Sequence, residues 1–87
     1  MATIDFKIKN VKDRSGLGAT VATIDGSIDA ASIQQFQSVM DKLVERGVKN
    51  LILDCSKVTY INSTGLGTLL KYADQFDGFG GHIAFIR

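Results

Sequence analysis

Hydrophobic and polar positions along the 87-residue chain fall into blocks of different period. Ile4, Phe6 and Ile8 alternate with Asp5, Lys7 and Lys9, the period of two of a half-buried strand, and predict an outer strand over residues 3–9. Residues 12–18 are polar and carry Gly16 and Gly18, which predicts a hairpin loop. A stretch rich in Val, Thr and Ile over residues 19–25 predicts a second strand ending at Gly26-Ser27. Ile33, Phe36, Val39, Met40, Leu43 and Val44 then recur every three or four positions, the stripe of an amphipathic helix over residues 30–46 that stops at Gly47. Asp29 stands before it as the expected N-cap, its carboxylate suited to the free N–H groups and the positive end of a helix.

Leu51-Ile52-Leu53 is a short unbroken apolar run between Asn50 and Asp54, as in a central strand covered on both faces. Residues 56–61 read as a connector to a second helix that begins at Ser63 or Thr64. Leu66, Leu69, Leu70, Ala73 and Phe76 share one face of that helix. Asp77-Gly78-Phe79-Gly80-Gly81 ends it, and residues 82–86 predict a last strand. The expected fold class is α/β: one domain over residues 1–87, with a mixed four-stranded sheet in the order β-β-α-β-α-β. The first strand pairs as a hairpin and the other three run parallel through right-handed crossovers. Such crossovers between neighbouring strands put the helices mainly on one face. The bare face then calls for a partner, a second copy in a homodimer or larger assembly, or further chain.

Composition narrows the function. Hydrophobic residues make up 45% and charged residues 22%, which suits a packed core, and 87 residues suffice for one core only. Ten basic and nine acidic residues leave a net charge of +1, scattered along the chain, so direct nucleic-acid binding is not expected. The single cysteine, Cys55, excludes an internal disulfide. No basic leader followed by an apolar core opens the chain and no apolar run spans a bilayer, so a cytoplasmic location without membrane insertion is expected.

Most catalytic patterns fail on inspection. Gly65-Leu66-Gly67 at a helix start has Leu70 where a dinucleotide fingerprint needs its third glycine. No Gly-Lys-Ser/Thr triplet provides a phosphate loop. Ile61 stands where a hydrolase elbow needs glycine before Ser63, and the lone histidine, His82, reads as an edge-strand surface residue. Cys55 reads as a small buried group, and one His with one Cys cannot assemble a zinc site. Neither a metal nor a cofactor is expected, and an enzyme is not expected.

What remains is Leu51-Ile52-Leu53-Asp54 followed by Tyr60-Ile61-Asn62-Ser63-Thr64-Gly65-Leu66-Gly67 and an apolar helix. This closely resembles the signature of the STAS domain family, the bacterial anti-sigma factor antagonists, and Gly26-Ser27-Ile28-Asp29 resembles that family's earlier motif before its first helix. Asn62 stands where the family pattern has an acid, and the closing helix of the pattern has no counterpart after the last strand, so the chain reads as truncated or minimal.

The resemblance implies an anti-sigma factor antagonist that switches partners. Unphosphorylated, it would bind an anti-sigma factor, typically a serine kinase; phosphorylated on Ser63, or less favourably Thr64, it would be released, and a phosphatase would reset it. Asp29, Asn62, Ser63, Thr64, Gly65, Leu66 and Gly67 form the implied partner-binding face. Helix-start chemistry fits: unsatisfied N–H groups tolerate a phosphate, while about −1.5 to −2 added charges would oppose burial at an interface. Three other readings stand beside it, the least favoured being small-ligand or nucleotide binding at the glycine-bearing helix start. Asn62 or Ser63 serves only as a helix cap, or the domain is a never-phosphorylated STAS scaffold or subunit in a signalling or transporter assembly.

Overall fold

The structure is a computed structural model that describes residues 4–12 and 18–86. The predicted strand start at residue 3 and most of the predicted hairpin loop lie outside the described residues. Six elements follow in chain order: β1 (Ile4–Lys12), β2 (Gly18–Ile28), α1 (Ile33–Glu45), β3 (Asn50–Ile61), α2 (Ser63–Gly78) and β4 (His82–Ile86). They build one sheet in the spatial order β1-β2-β3-β4, with β1 antiparallel to β2 and the other neighbours parallel. The predicted class, order and pairing hold.

Each parallel pair is joined through a helix, and successive right-handed crossovers between adjacent strands place both helices on one face. Ala22, Ile24, Leu51 and Leu53 of the inner strands meet Phe36, Met40 and Leu43 of α1 and Leu69, Tyr72 and Phe76 of α2 in a single buried cluster. Phe36 lies at its centre. Its ring stacks on Phe6 and meets Tyr72 edge-on, both with centroids 6.1 Å away. The register carries Lys9, Val21, Ile52 and Ala84 in one row, and Lys7, Thr23, Asp54 and Ile86 in another, across the opposite face.

Three local expectations are corrected. β3 continues through the predicted connector to Ile61, and two register shifts against β2 break its alternation. At the first, the Asp54 carboxylate accepts from the Ser56 backbone N–H at 3.0 Å, a contact that, with the Ser56 hydroxyl and nearby Lys57, lowers the Asp54 pKa. Helix α1 begins at Ile33 with Ser32 at its N-cap, three residues later than predicted, because Asp29 forms a turn of its own. Leu66 and Leu70 are exposed, whereas Tyr72 is buried in their stead. The α1 terminus, by contrast, falls as predicted: Gly47 adopts φ 78°, Gly47 N–H donates to Val44 O and Val48 N–H to Leu43 O, a paired closure that a left-handed residue permits.

Tyr72 joins the two helices. Its hydroxyl donates to Asp41 Oδ1 at 2.7 Å and lies 3.3 Å from Gln37 O. Burial, then the Asp41 carboxylate, pushes the phenol well above its ordinary range. A raised folded-state pKa gives stabilisation that is complete below the unfolded tyrosine pKa of about 10 and is lost as pH climbs past it. Urea unfolding should therefore show stability falling more steeply above pH ~10 in the wild type than in Tyr72→Phe, whose cost at neutral pH is about 1 kcal/mol. Equal alkaline slopes would refute this account of Tyr72.

Candidate functional site

The carboxyl ends of β2 and β3 converge on the start of α2. Ile28, the last residue of β2, is fully buried, and its carbonyl accepts from Asn62 N–H at 3.2 Å. Asn62 is the N-cap of α2: its backbone is extended and its Oδ1 accepts from Gly65 N–H at 2.8 Å. One of the orphan donors of the first turn is thereby satisfied by the neutral amide. Ser63 and Thr64, the first two helical residues, are both exposed.

Gly65 is buried where α2 touches β2. A Cβ there would lie 2.6 Å from Ile28 O and 2.8 Å from Ile28 Cγ2, so only glycine lets the helix start approach the strand this closely. Gly67 differs, since a Cβ on it would meet nothing within 4 Å; no contact among the described residues requires glycine there. Leu66 is 52% exposed, Tyr60 57% and Ile61 36%, which leaves an apolar margin around the exposed hydroxyls.

Asp29 follows Ile28 directly and so sits beside the helix start. Its Oδ1 accepts from Ala31 N–H at 3.0 Å. Ser32, buried, fastens this turn: its hydroxyl donates to Ser27 O at 2.6 Å and accepts from Asp29 N–H at 3.1 Å. Sequence reading placed Asp29, Asn62 and Gly65 at the site but missed Ser32, Tyr60 and Ile61. A serine three residues after an Asp is the signal for the first; the other two were hidden in the supposed connector.

Other chemistry is weaker. Cys55 is half-buried, and burial together with neighbouring Asp54 pushes its thiol up, away from a reactive thiolate. Among the described residues no three His, Cys, Asp or Glu side chains cluster as for a metal. No helix of the described residues is long and apolar enough to cross a membrane. The start of α2 thus carries two exposed hydroxyls, Ser63 and Thr64, beside the exposed apolar side chains of Tyr60, Ile61 and Leu66.

Comparison with known proteins decides the family, since the STAS domain matches residues 9–87. The chain belongs to the STAS domain family. This STAS domain is 29% identical over 58 residues, 67% of its length and half that of the relative, to BtrV of Bordetella bronchiseptica, assigned as an anti-sigma factor antagonist. Its fold is similar to an anti-sigma factor antagonist from Mycobacterium paratuberculosis, with TM-score 0.78 and 20% identity over 95% of this chain and 66% of that one. The antagonist SpoIIAA from Bacillus is similar in both of its forms. The unphosphorylated form gives TM-score 0.71 and 17% identity over 93% of this chain and 71% of that one. The phosphorylated form gives 0.68 and 18% over 91% and 68%.

Proposed function

We propose that this STAS domain is an anti-sigma factor antagonist whose hold on an anti-sigma factor is toggled at Ser63. The reading rests on one observation above the others: Ser63 is exposed at the first position of α2 while Asn62 does the capping. The Ser63 hydroxyl has no structural duty in that cap, so it is available to a kinase and the helix survives its modification. The names of BtrV and SpoIIAA, and the likeness of the fold to SpoIIAA in both forms, support the same reading.

The unmodified surface of Asp29, Asn62, Ser63, Thr64, Leu66 and Gly67, with buried Gly65 beneath it, receives the anti-sigma factor, which in this scheme is a serine kinase and brings its own nucleotide. Phosphate on Ser63 keeps favourable company at the helix start but must be desolvated when the apolar margin around Leu66 is covered. Binding is then lost, and a phosphatase returns the protein to its binding form. This chain acts by occupancy and catalyses nothing itself.

The test compares wild type, Ser63→Ala and Ser63→Glu. Incubation with the host's anti-sigma factor kinase and ATP should add one phosphate to the wild type and none to Ser63→Ala, read by intact mass. Ser63→Glu should bind the anti-sigma factor roughly tenfold to a hundredfold more weakly, the equivalent of about 1–3 kcal/mol for an unsatisfied buried group. Tight binding by Ser63→Glu with no phosphate on the wild type would overturn the switch in favour of a constitutive scaffold.

A further inference from the structure

Ser32 stands at the N-cap of α1, yet its hydroxyl does not cap the helix. Serine at that position ordinarily accepts from a first-turn N–H, and here the side chain makes no such bond. Ser32 is only 1% exposed, so its hydroxyl must find partners inside the fold. It turns back towards β2: it donates its one proton to Ser27 O at 2.6 Å and accepts from Asp29 N–H at 3.1 Å. Ser32 N–H in turn donates to Asp29 O at 3.1 Å.

One buried residue therefore grips Asp29 by both its N–H and its C=O. The carboxylate is fixed separately, by Ala31 N–H on Oδ1. Ser32 Oγ lies 3.4 Å from that same oxygen, but its proton is committed to the much shorter bond with Ser27 O. The second carboxylate oxygen takes no hydrogen bond from the described residues. On the other side of Asp29, Ile28 O accepts from Asn62 N–H, and Ile28 closes on Gly65. The base of the carboxylate is thus set relative to the start of α2 as well as to β2.

We propose that Ser32 is a positioning residue of the candidate face: it holds Asp29 so that the open carboxylate oxygen meets a cationic N–H donor of the anti-sigma factor. The inference rests on the antagonist reading above and adds to it the chemistry of one contact. A carboxylate anchored through one oxygen offers the other in a fixed direction, and charge-assisted hydrogen bonds reward that alignment. An N-cap serine that leaves its helix uncapped forgoes the stabilisation a cap brings. Such a local departure is expected where the group serves a site.

The test measures binding of the host's anti-sigma factor by calorimetry to the wild type, Asp29→Ala, Ser32→Ala and the double variant. Asp29→Ala should weaken binding roughly tenfold or more, as loss of a charge-assisted bond does. Ser32→Ala should weaken it roughly fivefold in the wild-type background and less than about twofold in the Asp29→Ala background, the non-additivity of residues that act through one contact. Tyr72→Phe, which removes a different buried hydroxyl, bonded to Asp41 and Gln37, should leave binding unchanged and so separates positioning from stability. In free Ser32→Ala, amide hydrogen exchange should speed up by a larger factor at Asp29 and Ala31 than in the core strands. Ser32→Cys, close in volume, carries the same expectations should Ser32→Ala fail to fold. Equal losses in both backgrounds, or no loss at all, would overturn the role of Ser32 and leave the antagonist reading standing. Failure of the wild type itself to bind would overturn that reading and this one with it.

Discussion

Phe36→Ala should cost this domain about 3–5 kcal/mol, a large share of a total that for small domains runs to about 5–15 kcal/mol. Phe36 is fully buried, and it is the ring through which β1 reaches α2, stacked on Phe6 on one side and edge-on to Tyr72 on the other. Truncation leaves a void between three elements. The flanking groups are held in place, Phe6 by pairing of β1 and Tyr72 by its bond to Asp41, so the void cannot close cheaply. Chemical denaturation monitored by circular dichroism measures the loss. A cost below about 1.5 kcal/mol, the range of well-tolerated hydrophobic swaps, would show that the cluster relaxes and that Phe36 is not its keystone.

Gly65→Ala should cost about 1–3 kcal/mol, the usual cost of overpacking. The added methyl would stand 2.6 Å from a backbone oxygen, and the Ile28 carbonyl is itself held by Asn62 N–H. Neither side yields without moving the junction. The intrinsic helix preference of alanine over glycine, about 1 kcal/mol, offsets part of this but not all. Gly67→Ala is the control, since its Cβ meets open space, so stability should hold or rise. If the partner packs over the helix start, Gly67→Ala should weaken binding without loss of stability, whereas Gly65→Ala weakens both. Unchanged stability in Gly65→Ala would mean that α2 slides freely on β2.

These two residues also illustrate how unevenly the sequence speaks. Phe36 is legible because Ile33, Phe36, Met40 and Leu43 repeat at helical spacing and one side of α1 has a core to face. The strand pairing follows from the order of elements, since short parallel crossovers leave few arrangements. β3 beyond Asp54 was not legible: its two register shifts each add a residue and reverse which face the next side chain meets, so alternation fails although pairing continues. Asp29 misled for a related reason. An acid before an apolar helical stripe fits an N-cap, yet the same carboxylate closes a local turn onto Ala31 N–H and leaves the start of α1 to Ser32. Leu66 and Leu70 carry the right period but lie on a side of α2 that meets no other element's core, and only the placement of the helix reveals it. At the candidate site, Asn62, Ser63 and Gly65 were legible as a helix entry, while the division of labour between them was not.

That division has a consequence for the lifetime of the protein in a cell. A hydroxyl engaged in capping would tie every change at Ser63 to the folding equilibrium, and a modified pool would be more open to proteases. With the cap held by Asn62, a modified and an unmodified copy should be degraded at the same rate. Under the switch proposed at Ser63, the protein would be set aside and recovered intact, and the concentration available for the next response would be governed by reversal of the mark rather than by new synthesis.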